Sequence, residues 1–109
     1  LERLVRIIQT HLPTAQRRPP EILLVCPPPV GDWVDQGSIA GMFTSAHSVA
    51  VSLELPGAAE KIARQYGCLF CDAGSAAELS PVDGVHLTAQ GHQQLAGLLA
   101  PIILAQFPG

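Results

Sequence analysis

The sequence predicts an α/β fold built on a parallel sheet with helices on both faces. Two observations carry that expectation. Residues 22–26 form an apolar run (Ile-Leu-Leu-Val-Cys) with no polar alternation, the pattern of a strand covered on both sides. Helical patterns then alternate with strand patterns along the chain, which implies crossover connections and parallel pairing. Only two strands are readable, and two cannot close such a sheet. Both would keep an apolar open edge, which is an association hazard. The expectation is therefore that residues 1–109 are the C-terminal portion of a single domain whose N-terminal strands lie outside this chain.

The first helix is read from Leu1, Leu4, Val5, Ile8 and Leu12, one apolar stripe with Arg3, Arg6 and Gln9 between. Pro13 ends it, and Arg17-Arg18-Pro19-Pro20 reads as a turn. The first strand covers Glu21 to Cys26 and stops at Pro27-Pro28-Pro29. Residues 30–51 read as a long irregular loop, a length that is usually functional or disordered. Ser52 is expected to cap a second helix, with Pro56 at the edge of its first turn and Gly67 as its left-handed terminator. Cys68 to Asp72 is the second strand, Ala73 to Val85 a loop in which Asp72 caps the first turn. Thr88 caps the last helix, which Pro101 should bend.

Composition bounds the function. The chain has 109 residues, 48% hydrophobic and only 14% charged, where an ordinary soluble domain has roughly 25% charged. Mean hydropathy is +0.30. Disordered segments are poor in apolar residues, so that class is excluded. No run approaches ~18 apolar residues, which excludes a membrane-spanning helix. Six Lys and Arg against nine Asp and Glu give a net charge of −3, with no basic footprint for nucleic acid. The arginines of the first 18 residues read as a solvated helix face and a turn.

Three cysteines cannot form a complete disulfide framework. Cys68 and Cys71 make a C-x-x-C, but on a strand those positions face opposite ways, and no second pair completes a zinc site. Reduced thiols favour a cytoplasmic setting.

The chemistry concentrates at Asp83-Gly84-Val85-His86-Leu87-Thr88, just ahead of the last helix. A loop turned at Gly84 can bring the Asp83 carboxylate beside the His86 imidazole, the base-and-orienter half of a nucleophilic triad. The spacing alone equally fits a loop histidine and an acidic group favoured near a helix N-terminus. The wider context favours the first reading. That block, followed by Gln90-Gly91-His92 and a Leu/Ala-rich helix, resembles the closing block of the SGNH (GDSL) hydrolases. Pro27-Pro28-Pro29, Ser52-Leu53-Glu54-Leu55, and Tyr66-Gly67-Cys68 leading through Phe70 to Asp72-Ala73 resemble the arylesterase-like branch.

The resemblance implies a flavodoxin-like three-layer sheet and a serine-type carboxylic ester hydrolase or acyltransferase, with Asp83 and His86 as triad acid and base. It implies small ester substrates and no metal or organic cofactor. The nucleophile and oxyanion blocks of the family are not among these residues; no Ser here follows Gly-Asp or sits in a G-x-S-x-G elbow. The N-terminal half of the domain is then the expected partner, and association between copies is a further possibility. Trp33, with Met42 and Phe43, lies in the loop beyond the first strand, where ligands bind in open α/β sheets. These side chains wall an acyl or aryl pocket or anchor the loop. Trp33 and Val85 are taken as the substrate-binding residues. His92, His47 and His11 are read as solvated or capping. Two rivals stand beside the esterase: a non-enzymatic half-domain serving as an interaction or structural piece, and a flavodoxin-like nucleotide binder. The second would need a Gly-rich phosphate loop after a strand, and neither strand leads into one.

Overall fold

The computed structural model describes residues 1–11, 19–36 and 45–107. Helix α1 spans Glu2–Thr10, strand β1 Leu23–Cys26, helix α2 Ser45–Tyr66, strand β2 Leu69–Asp72 and helix α3 Ala89–Leu104. Short helical turns lie at Val34–Gln36 and Ala73–Ser75. Met42, Phe43 and the arginines at 17 and 18 fall outside the described residues.

The strands pair in parallel, Leu23 with Leu69 through Cys26 with Asp72, and the Leu69 N–H to Ile22 carbonyl bond adds a rung at the start. Among the described residues this is the whole sheet. Helix α2 packs on both strands. Ala59 and Ala63 are its buried positions; small side chains there let the helix axis approach the sheet.

The start of α2 corrects the sequence reading. It begins at Ser45, not Ser52. Pro56 therefore lies well inside the helix, where it cannot donate to the Ser52 carbonyl. Ser52 caps nothing. Its hydroxyl donates to the Val49 carbonyl (2.8 Å) and accepts from the Val30 N–H (2.9 Å), tying the segment after β1 to the helix. The end of α2 is as expected. Gly67 has φ +66°, and Cys68 N–H returns to the Ala63 carbonyl at 2.8 Å, a Schellman termination.

The apolar stripe of α1 is only partly covered. Val5 is buried, whereas Leu1, Leu4, Ile7 and Ile8 are exposed. Gln9 holds the helix to α2 by donating to the Tyr66 carbonyl at 2.8 Å. Helix α3 is capped as the sequence predicts: the Thr88 hydroxyl accepts from Gly91 N–H at 2.9 Å. Gly91 also lies against Glu78, whose carbonyl oxygen would be 2.2 Å from any Cβ at that position. Farther along, Ile102 and Ile103 share a groove with the paired Leu23 and Leu69.

Candidate active site

The loop between β2 and α3 is fixed at several points before any functional side chain enters. Asp72 caps its first turn, accepting from Gly74 N–H at 2.9 Å. Leu79 and Leu87 form an antiparallel bridge, and Thr88 N–H donates to the Glu78 carbonyl. Within that bridge the chain makes a tight turn. Ser80 N–H donates to the His86 carbonyl at 2.7 Å, and Gly84 N–H to the Ser80 carbonyl at 2.9 Å. Gly84 has φ +71°, a conformation that favours glycine.

This turn presents Asp83 and His86 to one another. Asp83 Oδ2 lies 2.6 Å from His86 Nδ1, while Oδ1 accepts from the backbone N–H groups of Val85 (2.9 Å) and His86 (3.0 Å). Three donors on one carboxylate favour its charged form. The Val85 N–H, then the His86 side chain and the His86 N–H, pull the Asp83 pKa down to about 2. An ionised carboxylate can only accept, so Nδ1 carries the proton and Nε2 keeps its lone pair in the neutral ring. Asp83 is buried, whereas the His86 side chain is 74% exposed. The pair is an imidazole held from behind and open in front.

Beside it runs a groove of about 340 Å³. Val25 in β1, Pro28 just beyond it, Ala73 after β2, Val85 next to His86, and His92 and Leu95 on α3 line it. Val85 lies in this groove, next to His86. Trp33 is not among the lining residues. Its indole N–H instead donates to the Ser80 carbonyl at 3.2 Å. His92, read from the sequence as solvated, is exposed but belongs to the groove; a position one turn into a helix gives no sign of this. His47 and His11 are exposed.

Cys26, Cys68 and Cys71 are free thiols. Burial raises the pKa of each, with the Asp72 carboxylate adding to the effect at Cys26 and Cys71. That is the opposite of an activated thiolate. Cys71 is buried within β2, whereas Cys68 is half-buried and lies just before that strand, which begins at Leu69 and not at Cys68. No three His, Cys, Asp or Glu side chains gather as a metal site among the described residues. No described helix is long and apolar enough to cross a membrane.

No family model matches the chain, and no curated protein is significantly similar to it. Solved structures are similar over nearly its whole length. A carbohydrate acetylesterase family member from Sinorhizobium meliloti shares 34% identity and a TM-score of 0.78, over 94% of this chain and 47% of that one. A carbohydrate acetylesterase from the same organism shares 28% identity and a TM-score of 0.78, over 97% and 49%. The native M. smegmatis aryl esterase shares 26% identity and a TM-score of 0.73, over 94% and 47%. The chain spans about half the length of each. The two-stranded parallel sheet and three helices of the described residues are a partial form of their fold. By fold and by sequence, the chain is similar to carbohydrate acetylesterases and aryl esterases of the SGNH type, over about half the length of each.

Proposed function

We propose that this chain supplies the acid and base of a serine esterase triad, Asp83 and His86, within an enzyme that cleaves or transfers the acyl group of small carboxylic esters. The 2.6 Å contact between Asp83 Oδ2 and His86 Nδ1, with the rest of the ring exposed, is the observation that carries the proposal. The nucleophilic Ser and the oxyanion donors belong to the other half of the domain, outside these residues. Esterase neighbours of the same fold support the reaction class.

The chemistry follows from the two ring nitrogens. His86 Nε2 takes the Ser proton as the oxygen attacks the ester carbonyl, and the buried Asp83 carboxylate stabilises the imidazolium that forms. The same Nε2 then protonates the departing alcohol. Water, or another acceptor activated in the same way, releases the acyl group. Val85 and the groove beside it would hold part of the ester. None of these steps calls for a metal or organic cofactor.

The test uses the full-length protein and a chromogenic short-chain ester. Wild type should turn over, and His86→Ala should lose on the order of 10⁴–10⁶-fold in kcat. Turnover that survives His86→Ala would overturn the assignment.

A further inference from the structure

We propose that Trp33 is a positioning residue for the Asp83–His86 pair: its indole braces the Ser80–Gly84 turn and so fixes the imidazole against its carboxylate. The inference rests on the reading of that pair as triad acid and base, and gives Trp33 a task other than lining the ester pocket.

Three sets of contacts converge on this residue. The indole N–H donates to the Ser80 carbonyl at 3.2 Å. That carbonyl also accepts from Gly84 N–H, so one oxygen is held by both the brace and the turn. Gly31 N–H, two residues before the indole, donates to the Gly84 carbonyl at 2.8 Å. The ring packs tightly against both glycines. A Cβ at Gly31 would lie 2.8 Å from the ring's Cε2, Cζ2 and Cη2, and one at Gly84 3.1 Å from Nε1. The segment after β1 and the Asp83 turn are thus joined by that backbone bond and by one aromatic side chain.

Asp83 sits between Ser80 and Gly84, and its Oδ1 bonds to Val85 and His86 N–H depend on the shape of that turn. Catalytic groups must be held to within about 0.5 Å of productive geometry by side chains that are themselves locked. A planar ring with two rotatable bonds, hydrogen-bonded at one edge and packed on two backbones, meets that requirement. Val34, next in sequence, is fully buried, so the brace is itself anchored.

The experiment compares Trp33→Phe and Trp33→Ala in the full-length protein. Readouts are the proton NMR signal of His86 Nδ1–H, the carbon-13 titration of the Asp83 carboxyl, and ester kinetics. Trp33→Ala is expected to broaden or abolish the Nδ1–H signal and to raise the Asp83 midpoint toward an ordinary carboxylate value. It should lower kcat at least about tenfold with KM changed less than about twofold, because a small misplacement of the base costs rate rather than binding. Trp33→Phe keeps a ring but not the Ser80 bond and should fall between. Unchanged Nδ1–H and Asp83 signals in Trp33→Ala would overturn the proposal, as would a raised KM with unchanged kcat, the mark of a pocket wall. If Trp33→Ala does not fold, Trp33→Phe decides by the same criteria. A wild-type protein inert toward esters would sink the esterase reading, while the two NMR signals would still decide the role of Trp33.

Discussion

Asp83 divides its work between two oxygens, and its variants should separate the two tasks. Asp83→Asn can still accept from Val85 and His86 N–H through one oxygen, but it offers an NH₂ group to Nδ1. The imidazole then favours the tautomer with its proton on Nε2, and kcat should fall by up to about 10⁴-fold while the fold persists. Circular dichroism and ester kinetics on the same sample check both halves of that statement. Acid should act through the same carboxylate. Its pKa is about 2 in the folded chain and near the ordinary 3.8 when unfolded. Above the higher value both states are ionised and the stabilisation is fully present. As pH falls from about 4 toward 2 the unfolded state binds the proton first, and the stabilisation is lost. Urea midpoints across that window should fall in wild type, and less steeply in Asp83→Asn. The contact itself was legible in the sequence because its partners stand three residues apart on a turn with a glycine. The Trp33 brace was not, because nothing in a single sequence pairs an indole with a carbonyl 47 residues away.

Among the elements, α3 positions the His86 imidazole most directly, since its cap residue follows His86 by two. Thr88→Ala should cost about 1 kcal/mol, the usual value of a lost N-cap. Gly91→Ala should cost about 1–3 kcal/mol through overpacking, because its Cβ has no room beside the Glu78 carbonyl. Urea denaturation of the full-length protein measures both, and a harmless Gly91→Ala would show that α3 can move off the loop. The cap of α3 and the glycine end of α2 were readable from local signals. The start of α2 was not: Pro56 suits a first turn so well that its interior position runs against the local rule. The turns preceding it contain no acidic first turn to mark their beginning.

The molecule as a whole exposes more than a compact monomer would. Its accessible surface is 7454 Å², against about 5,800 Å² expected for this mass, and its radius of gyration is 16.4 Å, against about 13 Å. Val25, in the middle of β1, is 42% exposed. The unbroken apolar run of β1 implies a strand with two covered faces, whereas here Cys26 alone of its four residues is buried. In the full-length protein the amides of Leu23–Cys26 should exchange slowly with deuterium, and in the 109-residue chain alone they should exchange much faster. On the proposed triad, the isolated chain should also show no ester turnover above background, since a base without its nucleophile lacks most of the effect of a triad. Equal protection in the two samples would contradict the half-domain reading.

The brace between Trp33 and Ser80 also sets an order of events during folding. Asp83 can meet His86 within a short peptide, but the indole arrives only after a loop of 47 residues has closed, and such long-range closure is a slow part of folding. The imidazole is therefore fully oriented only once that closure is made. In a refolding experiment on the full-length protein, helical signal should return before ester turnover does, and Trp fluorescence should recover together with the activity.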